Sequence, residues 1–265
     1  VGTNYASPNM KNGKNMWSEM ANISIVPSVS IQSSSDIAMK IAERVDLNTE
    51  DKLELSKHIN EQCSKHGFPI PNLEMILAMP GSTIDDFYNE MEYIWNFKSF
   101  GSYRHDYMFL PDSALNSQEY KIKYDIRTVE VYTDIADEQG IDSWNNLYKN
   151  KKSYFKTISS CFSFTIEEMH EMWFMNSAGN YLLQHFYPML ENSISPSIFT
   201  KKAYEAISKL DRWDDIHSEI RDIFNPNSQP KSIKVLNQEF RANTINKFIE
   251  KNRHIIMSEV SKECL

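Results

Sequence analysis

The sequence predicts an α/β fold: a partial (β/α) barrel with parallel strands over residues 1–128, followed by an α-helical region over 129–265. Three observations predict it. Runs rich in β-branched residues alternate with helical patterns in the first half, the stretches between successive strands are crossover-length and not hairpin turns, and beyond Pro111 the apolar spacing turns mostly helical.

Val1-Gly2-Thr3-Asn4 reads as the polar end of a strand, and with no initiator Met or signal-peptide pattern the chain is expected to be a fragment of a longer protein. A short helix is expected over 10–20. Residues 23–32 (ISIVPSVSIQ) form the next strand, with period-two alternation near their end. Helical spacing follows over 36–45, with Ile37, Ile41 and Val45, and over 50–66, with Leu53, Leu55, Ile59 and Cys63, closed by Gly67 as a C-cap. Residues 73–79 are a strand halted by Pro80-Gly81; a helix then starts at Ser82 or Thr83 and runs to about Phe97, with Asp85 and Asp86 placed for capping and for the positive end of the dipole. Residues 105–110 are the last strand of the first half, closed by Pro111.

After Pro111 the pattern changes. Residues 112–127 lack periodicity, 128–138 look helical, and 140–152 read as a loop or linker. Thr165-Ile166-Glu167-Glu168 opens a long helix to about Leu190, Ser195-Pro196 opens another, 212–224 is a third and 236–261 a fourth. Residues 225–230 (NPNSQP) mark the break before that last helix.

Composition narrows the function. With 265 residues, 41% hydrophobic and 12% aromatic, the chain can bury a sizeable core, and no apolar run approaches a membrane span. A net charge of -8 argues against nucleic acid as a partner. Cys63, Cys161 and Cys264 form no CxxC pair, so neither a disulfide framework nor a self-contained zinc site is expected, and a reducing cytoplasm fits.

In a parallel α/β arrangement ligands bind at the strand C-terminal ends, where Asn4, Ser30, Gln32, Pro80, Gly81 and Pro111 would gather. Pro80 halts the ladder, Gly81 allows close backbone approach, and the following helix offers unpaired N–H groups; plain turn chemistry explains the same residues equally well. In the helical half, Glu167-x-x-His170 and Asp214-x-x-His217 each set a carboxylate and an imidazole on one helix face, the spacing of dinuclear metal sites in bundles, although solvated faces carry such pairs more often. Cys63-x-x-His66 supplies two ligands only, and core packing accounts for Cys63. Tyr103-Arg104-His105-Asp106 sits at a strand start, away from the expected site, and is read as structural. The Met and aromatic run at Met169, Met172, Trp173, Phe174 and Met175 reads as core.

The succession SVSIQS (28–33), LEMILAMPGST (73–83) and FLPDSAL (109–115), continued by NSQEYKIKYDIRT (116–128), resembles the second half of a radical S-adenosylmethionine (radical SAM) enzyme of the cobalamin-binding subgroup. The resemblance covers about residues 1–130. It implies that Ser30 and Gln32 bind the methionine and ribose portion of S-adenosylmethionine, with Asn4 a further ribose contact. Glu74 would be a polar member of the strand before the turn, the Leu77, Ala78, Pro80 and Gly81 backbone would line the adenine, and Phe109, Leu110 and Pro111 would pack on it. Ala78 and Ser82 stand where the family carries Gly and Glu. The family's CxxxCxxC loop, which holds a [4Fe-4S] cluster, is absent from this chain. The implied enzyme therefore needs a further N-terminal portion of the same protein, bearing that loop and, in this subgroup, cobalamin. With these it would generate a 5'-deoxyadenosyl radical for hydrogen abstraction or methyl transfer on a substrate the sequence does not identify. The competing readings are a non-catalytic interaction module and a carboxylate/histidine metal protein built on Glu167, His170, Asp214 and His217.

Overall fold

The computed structural model describes residues 14–15, 18–20, 22–23, 29–43, 49–68, 73–98, 103–109, 113–134, 152–190, 193–232 and 244–262. Its first sheet is parallel, in the order β1 (Val29–Gln32), β2 (Leu73–Leu77), β3 (Tyr103–Asp106). Helices α1 (Asp36–Ile41) and α2 (Thr49–His66) connect β1 to β2, and α3 (Ile84–Asn96) connects β2 to β3. The sequence expectation holds here because its signals are local: Ser35 caps α1, and Thr83 and Asp86 form a reciprocal capping box on α3.

Burial alternates along β2. Leu73, Met75 and Leu77 are buried, while Glu74 and Ile76 are half-buried. Register pairs Met75 with Arg104 and Ile76 with His105. Arg104 is buried beside Met75, whereas His105 is exposed beside Ile76. The sheet therefore has one sealed face and one half-open face.

Beyond Asp106 the expected single strand over 105–110 is divided. β4 (Met108–Phe109) leaves the parallel sheet and joins a second sheet in the order β4-β6-β5-β7, with β5 (Arg127–Asp134), β6 (Lys152–Ser160) and β7 (Lys231–Ser232). β6 pairs antiparallel with both neighbours, and β7 is parallel to β5. Three expectations are corrected. The helix expected over 128–138 is strand in its described part, β5, whose Val129 and Val131 are buried. No strand was expected at β6; residues 135–151 lie outside the described residues. β5 also crosses position 128, so sheet structure continues into the region expected to be helical.

Both the three-stranded parallel sheet and the four-stranded sheet are open, and among the described residues no closed barrel forms. The outer edge of β3 is met by a side chain: the Arg104 N–H donates to Asn176 Oδ1 at 3.3 Å, and Asn176 Nδ2 donates to the Arg104 carbonyl at 3.0 Å. That amide satisfies an edge that would otherwise need another strand.

Asn176 belongs to α5 (Ile166–His185), which has a Thr165–Glu168 capping box and eleven buried residues. It forms the spine of the helical half. Helix α3 packs against it, and a Cβ at Gly179 would displace the end of the Met91 side chain, 2.6 Å away at Cε. Helix α4 (Gln118–Lys123) precedes β5; α6 (Pro196–Ile207), α7 (Trp213–Ile223) and α8 (Asn246–Lys251) pack against α5, and α9 (Arg253–Ser261) packs against α6. The single helix expected over 236–261 is thus two helices in its described part. Asn252 makes the break: its Nδ2 donates to the Phe248 carbonyl at 2.8 Å, competing with the helix backbone. No helix among the described residues is long and apolar enough to cross a membrane.

Candidate functional site

The C-terminal ends of β1 and β2 converge on two turns rich in left-handed backbone. Gln32 has φ 68°, Ala78 φ 57° and Gly81 φ 98°. A non-glycine residue in that region is uncommon and strained, so Gln32 and Ala78 are held there by their surroundings. Serine hydroxyls do much of the holding. Ser33 Oγ and Ser82 Oγ lie 3.0 Å apart, and Ser35 Oγ donates to the Gly81 carbonyl at 3.0 Å. A third chain segment closes the group: the Gly81 N–H donates to Ser163 Oγ at 3.0 Å, and Cys161 Sγ lies 3.2 Å from that oxygen.

Gly81 is required by packing. A Cβ at this position would stand 2.9 Å from the Ala38 nitrogen and 3.0 Å from Ala38 Cα, at the start of α1. The close approach that Pro80-Gly81 permits is therefore between the β2 turn and a neighbouring helix of the same protein.

Beneath the turns lies a buried ion pair. Arg104 Nε donates to Glu90 Oε2 at 2.6 Å, with side-chain exposures of 2% and 5%. Arg104 also donates to the Phe87 carbonyl at 3.3 Å and lies 4.3 Å from the Phe87 ring centre. The other Glu90 oxygen accepts from the Ser34 N–H at 3.1 Å and from Ser34 Oγ at 3.2 Å. A charge on α3 thus fixes the loop two residues beyond Gln32, and β3 supplies its counter-ion.

The residues expected to bind S-adenosylmethionine distribute as follows. Asn4, Leu110 and Pro111 lie outside the described residues. Ser30 is opposite Glu74 in the β1–β2 register. Gln32, Ala78, Pro80 and Gly81 are gathered at the strand ends, with Glu74 on the half-open face. The Leu77 side chain is fully buried on the sealed face, so only its backbone faces the turns. Phe109 is in the second sheet, its ring 5.1 Å from Tyr107 and 5.0 Å below the Lys121 ammonium.

The remaining candidates resolve simply. Cys63 is buried, and burial raises its thiol pKa. Glu167 is exposed, and the Asp214 side chain is 90% exposed with Arg221 3.7 Å away. No group of three His, Cys, Asp or Glu able to hold a metal occurs among the described residues. The four-residue carboxylate/histidine site is therefore not assembled, although its two imidazoles do meet, with ring centres 5.5 Å apart.

Several site residues escaped the sequence reading. The serine run 33–35 ahead of Asp36 carried a visible N-cap signal. Glu90, Arg104, Ser163 and Asn176 gave none, because each acts on a residue in another element. Compared with protein-family models and with curated proteins, the chain matches none.

Proposed function

We propose that this chain is the S-adenosylmethionine-binding side of a radical SAM partial barrel. The observation that carries the reading is a parallel sheet in which Ser30 pairs in register with Glu74, a residue of the half-open face, and at whose C-terminal end Gln32 and Ala78 turn the backbone left-handed. Glu74 and Gln32, both half-buried, suit the ribose and amino-acid portions of the ligand. The fit is partial, because the Gly81 N–H is already taken by Ser163 and must exchange that partner to meet a ligand.

A [4Fe-4S] cluster does not fit the described residues, whose two free thiols, Cys63 and Cys161, are both buried. In this proposal the cluster and cobalamin are held outside this chain. The cluster would supply the electron for reductive cleavage, while these residues bind and orient the nucleoside.

Equilibrium dialysis of the chain against radiolabelled S-adenosylmethionine tests the proposal. Saturable binding is expected, weakened about tenfold or more by Gln32→Ala or Glu74→Gln with folding intact, as for the loss of a charge-assisted contact. A folded chain that does not bind, or variants that bind unchanged, would refute it. Ser163 on the Gly81 N–H favours the second reading, a non-catalytic interaction module, which predicts no binding.

A further inference from the structure

Near the start of α5, His170 is 5% exposed, and neither of its ring nitrogens has a hydrogen-bond partner. A buried polar group left idle costs about 1–3 kcal/mol, so its presence calls for a physical reason. Across from it, on α7, stands His217. The two rings meet edge to face, with centres 5.5 Å apart and planes at 79°. Trp213 stacks on His217 at 5.0 Å and 17°, and Phe224 lies 5.9 Å from His170. Two imidazoles from two helices thus face each other inside an aromatic collar.

That spacing is metal-compatible. Two imidazoles bound to one ion at about 2.0–2.1 Å per nitrogen, with a tetrahedral angle between them, have ring centres roughly 5 Å apart. Burial is the main influence lowering both pKa values, His170 to about 4, so both rings are neutral at pH 7 with lone pairs available. Glu167 and Asp214 each precede their histidine by one turn and favour a cation, whereas Arg221 opposes one. Glu167 also lines a cavity of about 540 Å³, in whose lining neither histidine takes part. With no group of three ligands among the described residues, water would complete the coordination.

We propose that His170 and His217 form a two-imidazole site for a first-row divalent transition ion, of the zinc or copper class, that clamps α7 to α5. Imidazole suits these ions, and two protein ligands with water make an exchangeable site. The site is independent of the nucleoside-binding proposal.

The test uses the tag-free, metal-stripped chain at pH 7.5. One equivalent of Cu²⁺ is expected to quench tryptophan emission, because Trp213 stacks on a ligand ring, and Zn²⁺ is expected to raise the melting temperature. His217→Phe keeps a ring on Trp213 and removes the ligand, so it should weaken binding by more than about tenfold. His170→Phe should do the same, and Cys161→Ser should change nothing. Absence of saturable binding in the parent chain, or binding that survives His217→Phe in a folded variant, would overturn the proposal, the second result placing the ion elsewhere.

Discussion

Arg104 is among the largest side chains the fold buries, and among the described residues Glu90 is the carboxylate paired with it. Removing one partner of such a pair leaves an uncompensated buried charge, at a cost of about 3–5 kcal/mol, whereas replacing both with apolar residues of similar volume can be close to neutral. Glu90→Gln should therefore lower the urea midpoint sharply, and Glu90→Leu combined with Arg104→Met should recover most of the loss. Equal losses in the single and double variants would show that the pair is not acting as a unit. None of this was legible in the sequence. Tyr103-Arg104-His105-Asp106 reads as structural, yet nothing in its composition says that Arg104 is buried and His105 exposed, because that depends on the register of β3 against β2. Gly81 was legible as a residue needing freedom, and its φ of 98° agrees; that its neighbour would be Ala38 was not.

At the scale of elements, the sequence was reliable where the chain's own neighbours decide. The Thr165–Glu168 box at the head of α5 was visible in four consecutive letters, and both of its hydrogen bonds form. Thr165→Ala should cost about 1 kcal/mol, measured by urea unfolding, and Thr165→Ser close to nothing. If the two variants unfolded alike, the hydroxyl bond to the Glu168 N–H would carry no weight. The strands of the second sheet were misread because they depend on distant partners. β5 alternates Val129 and Val131 with exposed Glu130, but its strand state is fixed by pairing along its whole length with β6. β6 hides its own signal: Thr157, Ile158 and Ser159 are consecutively buried, so polar letters that suggest a loop lie inside a sheet. Asn252 likewise breaks an apparently continuous helix with one side-chain hydrogen bond.

At the scale of the whole molecule, acid stability depends on buried groups of opposite sign. An unfolded histidine titrates near 6.5, whereas burial holds folded His170 down at about 4. As pH falls below 6.5 the unfolded chain takes up the proton first, so stability declines until folded His170 also protonates near pH 4. His217, likewise lowered by burial, acts in the same direction. Glu171 opposes them: burial raises its pKa, partly offset by the hydrogen bond from Tyr88 at 2.5 Å, so the folded chain protonates there before the unfolded one and gains stability on acidification. The His170 displacement alone is worth on the order of 2–3 kcal/mol between pH 6.5 and 4. In a chelating buffer, the urea midpoint of the parent chain should therefore drop across that window, and His170→Phe should flatten the drop. A variant curve running parallel to that of the parent would mean that His170 gains its proton as readily in the folded chain as in the unfolded one, and the α5–α7 contact would then have to admit water to its imidazoles.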